Sequence, residues 1–190
     1  MNARYIGVTG THSTGKTTFI NEFACHLREK ELTVSIVTDL ASKAASKGFP
    51  ILHEHNEEST LWLMTHGISS ELEQSIVNDV VIVDRPIIDA VGYYLAAMEI
   101  TNRKIRKSYL DMLYCIASEW LRRYEFIFKT NLNPQVPLGV GRNKDHKFRV
   151  LADQKITEAL ANIEINYIDM PHQRSDEYMK FVTSSFLRHI

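Results

Sequence analysis

Apolar and polar positions along the chain follow two alternating periods. Tyr5, Ile6 and Val8 form a short apolar run that stops at Thr9. Over 15–30 the period lengthens: Phe19, Ile20, Phe23, Ala24 and Leu27 recur at threes and fours, one buried face of a helix. Residues 33–39 are β-rich and end on Asp39. Residues 41–56 carry Gly48, Pro50, His53 and His55 and read as a loop or broken helix. Over 57–77 the stripe Leu61, Met64, Ile68, Leu72 and Ile76 predicts a helix. Val80, Val81, Ile82 and Val83 are a continuous branched run, the pattern of a strand covered on both faces, with Asp84 at its carboxyl end. Asp89 to Ile100 is again helical. The clearest helix is 104–124, with Ile105, Tyr109, Met112, Leu113, Ile116, Ala117, Trp120 and Leu121 in register. Residues 125–130 form a fourth strand. Pro134, Pro137, Gly139 and Gly141 then break the pattern before a basic stretch from Arg142 to Arg149. A helix to about Asn162, a fifth strand at 165–169 and a C-terminal helix complete the chain.

Strands alternating with helices predict an α/β fold, a doubly wound parallel sheet with a helical layer on each face. In that architecture ligands gather at the carboxyl ends of the strands. The stretch from Thr9 to Lys16, Asp39, the pair Asp84 and Arg85, and the segment after Thr130 all belong to that edge. With 190 residues and no linker, 1–190 is expected to be one domain, with 131–150 as a mobile lid segment.

Composition narrows the classes. The 22 Lys and Arg against 23 Asp and Glu argue against a broad footprint for nucleic acid. No apolar run approaches the roughly 18 residues of a membrane helix. The N-terminus enters a strand directly, without a leader pattern. Cys25 and Cys115 fall on the apolar sides of helical patterns and lack C-x-x-C spacing, which predicts reduced core thiols and a cytoplasmic location.

The first turn of the chain carries the chemistry. Gly10, Thr11, His12, Ser13, Thr14, Gly15, Lys16 and Thr17 spell G-x-x-x-x-G-K-[ST] between a strand and a helix, the context this motif requires. Gly10 lets the chain leave the strand sharply, and Gly15 brings backbone against a phosphate. Loop amides and the helix N-terminus then form an anion nest, with Thr18 at its rim. In such a loop Lys16 reaches the β- and γ-phosphates and the Thr17 hydroxyl ligates Mg²⁺. Asp84, at a buried strand end, can hold Mg²⁺ or accept a proton from an attacking hydroxyl. Arg85 offers a planar fork to phosphate oxygens or to an acceptor. Asp39 is a candidate acceptor contact, and Asp89 reads as the N-cap of the following helix. In the Gly- and Pro-flanked basic segment, Arg142 and Arg149 are the cations expected to close on a triphosphate. His53, His55 and His66 lack metal-ligand spacing and read as polar surface.

The elements Val8-Thr9-Gly10 through Gly15-Lys16-Thr17-Thr18-Phe19, Val81-Ile82-Val83-Asp84-Arg85-Pro86-x-x-Asp89-Ala90-x-x-Tyr93, and Gly141-Arg142 with Phe148-Arg149 resemble the NadR-like, AAA-type P-loop kinases. These include the nicotinamide riboside kinase domain of the bacterial NAD regulator and are similar in layout to the thymidylate and deoxynucleoside kinases. The resemblance implies a three-layer P-loop NTPase with a five-stranded sheet of order 2-3-1-4-5 and Mg·ATP as donor. It assigns Asp84 to metal or base duty, and Arg85 and Arg142 to phosphate contacts. Where such proteins often carry Glu-x-x-Arg, this chain has Asp39-Leu40-Ala41-Ser42, with Lys43 one residue later.

The resulting expectation is an ATP-dependent kinase, with Lys16, Asp84, Arg85 and Arg142 catalytic. Thr17 and Asp84 hold the metal, and Asp39, Arg85 and Arg149 meet a small nucleoside- or nucleotide-like acceptor. A homodimer is compatible with this reading, and neither a membrane nor nucleic acid is an expected partner. The competing classes are a nucleotide-hydrolysing regulatory switch and a kinase of nucleic-acid termini or modified bases.

Overall fold

The computed structural model describes residues 3–11, 14–132, 145–171 and 175–188. Strands β1 (Arg4–Thr9), β2 (Val34–Val37), β3 (Val80–Asp84), β4 (Tyr124–Thr130) and β5 (Ile168–Met170) form one parallel sheet in the order β2-β3-β1-β4-β5. The helices among the described residues are α1 (Lys16–Arg28), α2 (Leu40–Ser46), α3 (Glu57–Ser75), α4 (Ile87–Ile100), α5 (Lys107–Leu121), α6 (His146–Asn162) and α7 (Asp176–Leu187). A 3-10 turn spans Leu52–Glu54. Sheet order and layering are those implied by the resemblance.

The continuous apolar runs divide between two cores, because successive strand residues point to opposite faces. Ile6, Val80, Ile82 and Phe128 pack under α1 and α7. Tyr5, Val81, Val83 and Ile127 pack under α4, α5 and α6. On the first face Phe19, Phe23, Phe128 and Phe186 form a ring cluster with neighbouring centroids 5.1 to 6.1 Å apart. Burying each such ring contributes roughly 2 to 3 kcal/mol. On the second face Glu71 of α3 is fully buried, and its Oε2 accepts from Trp120 Nε1 and the Tyr124 hydroxyl, both at 2.7 Å. Burial pushes this carboxyl up to about 7, against the lowering pull of Tyr124, Trp120 and Arg123.

Two local expectations are corrected. Cys25 and Cys115 are free thiols, but both are exposed rather than in the core. In α5 the buried residues are Leu113, Ala117 and Leu121, and Cys115 falls on another side of the helix. The proposed α3 stripe also drifts: Met64 is buried, whereas Ile76 is 81% exposed. A row of four-residue steps advances about 40° per step around a 3.6-residue helix, so its far end rotates off the buried face. The face that packs runs through Thr60, Leu63, Met64, Gly67 and Glu71.

Candidate active site

Gly10 leaves β1 with φ 125°, a conformation open to glycine. A Cβ there would lie 2.3 Å from Thr130 Oγ1, so the loop root presses directly on the end of β4. The Thr130 hydroxyl donates to Thr9 O at 3.1 Å and meets Thr14 Oγ1 at 2.6 Å. Gly15 is left-handed, with φ 83°, and delivers the chain into α1. No acidic residue occupies the first turn of α1, so nothing there opposes an anion at its N-terminus. Lys16 is buried, and its Nζ donates to Thr11 O and, at 3.3 Å, to Thr14 Oγ1. Thr17 and Thr18 are exposed on the first turn. His12 and Ser13 lie outside the described residues, as does Arg142.

Asp84 ends β3 opposite Val8 of β1, which sets it beside the loop. Its Oδ1 is buried with no hydrogen-bond partner among the described residues. A buried carboxylate oxygen of this kind is costly alone and suits a cation, which fits the metal role assigned to Asp84.

Arg85 follows in a left-handed conformation, φ 70°, while its N–H donates to Val8 O at 3.1 Å. The guanidinium therefore turns toward the loop. Nη1 donates to Gly10 O at 3.2 Å and to the Tyr93 hydroxyl at 3.1 Å, and lies 3.5 Å from Asp89 Oδ2. Burial opposes its charge, but Tyr93, Asp89 and Asp84 more than offset this and hold its pKa above the ordinary arginine range.

Asp89 corrects the N-cap expectation. Helix α4 begins at Ile87 with Pro86 as N-cap, so Asp89 lies inside the first turn. It is 3% exposed and accepts the Thr9 hydroxyl on Oδ1. Burial raises its pKa; Arg85, Thr9 and Lys16 lower it and Asp84 raises it, leaving it at about 6. The row Arg85, Asp89, Tyr93 repeats every four residues, a helix-face signal readable in the sequence.

Beside this row opens a cavity of about 470 Å³. Its walls are Leu40, Ala41, Ser42 and Ala45 of α2, then Ile51, Leu52 and His55, Leu63 of α3, and Arg85, Pro86, Ile87, Asp89, Ala90 and Tyr93. The surface is mainly apolar, with Arg85, Asp89 and Tyr93 among its polar groups. Asp39 is exposed with φ 63°, its side chain caps no amide of α2, and it is not part of the wall. His55, read from sequence as polar surface, is 2% exposed. Burial and the nearby Arg103 charge lower its pKa to about 4, so it is neutral near pH 7.

The same wall is tied to α6. Arg103 Nη2 donates to the carbonyls of His53 and His55, each at 2.8 Å. His53 Nε2 lies 2.8 Å from Asp145 Oδ2 and its ring packs on Phe148 with centroids 4.5 Å apart. Asp145 in turn caps α6 through the Phe148 N–H. Arg149, in the first turn of α6, is buried; burial lowers its pKa, while Tyr93 and Asp153 pull it up. Tyr93 thus bonds Arg85 and acts electrostatically on Arg149. Of the 131–150 segment, residues 133–144 lie outside the described residues and 146–150 belong to α6.

No helix among the described residues is long and apolar enough to cross a membrane. The AAA domain family matches residues 5–177. No curated protein sequence matches the chain. Among solved structures, the NadR protein in complex with NR is similar with a TM-score of 0.67 at 14% identity. That match takes in 98% of this chain and 50% of the other, so this chain spans half the length of that NadR structure. Deoxyadenosine kinase from M. mycoides with bound dATP is similar with a TM-score of 0.67 at 10% identity, covering 97% of this chain and 99% of that one. The same kinase with products dCMP and dCDP gives 0.63 at 9% identity, over 98% and 100% of the two chains. The chain belongs to the AAA domain family, and its fold is that of the P-loop nucleoside and nucleotide kinases.

Proposed function

We propose that the protein is an ATP-dependent phosphotransferase acting on a hydroxyl of a small nucleoside- or nucleotide-like acceptor. One observation carries this reading: Arg85 bonds the phosphate-loop carbonyl of Gly10 and also lines the apolar cavity, so loop and cavity share a boundary. A hydrolytic switch has no need of a compartment there. The similarity in fold to a deoxyadenosine kinase and to NadR supports the same conclusion.

In this reading the loop amides and Lys16 hold the donor phosphates. Thr17 and Asp84 are the residues that would hold Mg²⁺, which supplies charge neutralisation at the transferring group. Arg85, Arg142 and Arg149 add cationic charge around the phosphoryl group, and the cavity orients the acceptor. Among the residues of the cavity wall, Arg85 is the one fixed cation, while Lys43 is outside it. Nucleosides are therefore expected to outperform their monophosphates as acceptors.

The test is ATP turnover with a panel of nucleosides, ribosides and nucleoside monophosphates. Acceptor-stimulated ADP formation with a phosphorylated product is the expected result. ATP turnover that no acceptor stimulates contradicts it. Lys16→Ala and Asp84→Ala are each expected to abolish transfer, with Lys16→Ala weakening ATP binding more. Arg85→Ala should raise the acceptor KM more than the ATP Kd; equal loss of ATP affinity would assign Arg85 to the donor side.

A further inference from the structure

Two carboxylates flank the phosphate loop, and only one of them borders the cavity. Asp84 ends β3 and is not in the wall; Asp89, one helical turn beyond Arg85, is. Asp89 Oδ1 is fixed by the hydroxyl of Thr9, the residue immediately before Gly10. Its Oδ2 is buried, faces Arg85 at 3.5 Å and has no hydrogen-bond partner among the described residues. The side chain is thus anchored to the root of the phosphate loop by one oxygen, while the other pairs by charge with Arg85 and accepts no hydrogen bond among the described residues. Asp39, the carboxylate placed nearest an acceptor by sequence, is exposed and off the wall.

We propose that Asp89 receives the acceptor hydroxyl and takes its proton during transfer, an assignment that rests on the phosphotransferase reading above. The acceptor oxygen bonds to the γ-phosphorus as the bond from that phosphorus to the β,γ-bridging oxygen breaks. ADP leaves with the electron pair of the broken bond. The hydroxyl proton passes to Asp89 Oδ2 and then to water. Asp84 is left to its metal role, so the two acids divide the work.

The charged and titratable groups around Asp89 are Arg85 at the start of its own helix, Lys16 from α1 and Asp84 from β3. Tyr93 stands one turn further along α4, with Arg149 of α6 acting on it, and His55 comes from the opposite wall. With burial they leave the carboxyl at about 6, ionised at neutral pH and still basic enough to accept a proton.

The test compares wild type with Asp89→Asn, Asp89→Glu and Thr9→Val. Acceptors are adenosine, deoxyadenosine and cytidine, assayed with ATP across roughly pH 5 to 8. Asparagine keeps the volume and still accepts the Thr9 hydroxyl but gives up the charge facing Arg85, so the acid limb, and not the rate alone, separates a base from a structural partner. The expected result is a folded Asp89→Asn protein with ATP affinity within about threefold of wild type and kcat lower by about 100-fold or more. Its residual rate should lack the acid limb, and Asp89→Glu should restore that limb. Thr9→Val leaves the carboxylate in place but removes a bond to its charged form, so the limb should move to higher pH. This arm decides the question if Asp89→Asn does not fold. Transfer by Asp89→Asn within threefold of wild type, an acid limb unchanged in that variant, or a limb unmoved by Thr9→Val overturns the role of Asp89. A wild-type protein that transfers to no acceptor overturns the phosphotransferase reading, and the assignment with it.

Discussion

Gly10 shows how closely single atoms set this site. Its φ of 125° already disfavours a side chain, and a Cβ would meet Thr130 Oγ1 at 2.3 Å and the Thr130 carbonyl oxygen at 2.8 Å. One contact is a short side chain and the other is backbone, so neither gives way easily. Gly10→Ala is expected to cost about 1 to 3 kcal/mol in denaturant unfolding and to weaken ATP binding, because the loop root must leave β4. An unchanged unfolding midpoint would mean that the turn relaxes without loss. Arg85 also holds a left-handed backbone, and this twist turns its guanidinium toward the loop rather than continuing the strand direction.

At the scale of elements, the seam between α4 and α6 positions the cavity against the first turn of α6. Gly92 of α4 lets the helices approach: a Cβ would lie 2.4 Å from Ile156 Cγ1 and 2.9 Å from its backbone. Alanine is worth about 1 kcal/mol over glycine in an open helix. Here the backbone clash reverses the sign, and Gly92→Ala is expected to destabilise by about 1 to 2 kcal/mol. A gain in thermal midpoint for this variant would contradict that packing account. The same element-level view explains what could be read in advance. β1 and β3 announce themselves because both faces are covered, so their apolar runs are unbroken. β5 begins at Ile168 rather than 165, since this short edge strand exposes Ile168 and Asp169 and carries little apolar signal. The phosphate loop is legible because its chemistry is local and contiguous. Asp89 was harder: a carboxylate two residues inside a helix resembles a cap, and only the fold brings Thr9 to it. His55 was hidden for the same reason, since its burial depends on Arg103 and the distant wall, not on its neighbours in sequence.

At the scale of the whole molecule, buried His55 pulls the acid stability one way and the buried carboxyls Glu71 and Asp89 pull it the other. His55 is lowered from 6.5 to about 4, so between those values the unfolded chain holds a proton that the folded chain does not. Its contribution is complete above about pH 6.5 and is lost as the pH falls toward 4. Glu71 is raised from 4.5 to about 7, so the folded chain holds the proton through that window. Its contribution is complete below about pH 4.5 and is lost as the pH rises toward 7. Each displacement is worth on the order of 3 kcal/mol, and from about pH 4.5 to 6.5 the slopes of His55 and Glu71 nearly cancel, with Asp89 adding to the slope of Glu71 up to about pH 6. Relative to wild type at the same pH, Glu71→Gln is therefore expected to fall behind on acidification, and His55→Asn to fall behind as the pH rises toward neutrality. Urea unfolding at stepped pH separates them, and parallel profiles for the two variants would refute this balance.

The bond from His53 to Asp145 has a further consequence. It fastens the segment beside the cavity to the residue through which the chain enters α6. Any free energy this strut transmits acts in both directions by the same amount. Whatever one occupant does through it to the affinity of a second, the second does equally to the affinity of the first. The order in which two occupants arrive can therefore alter the speed of assembly, but never its total free energy.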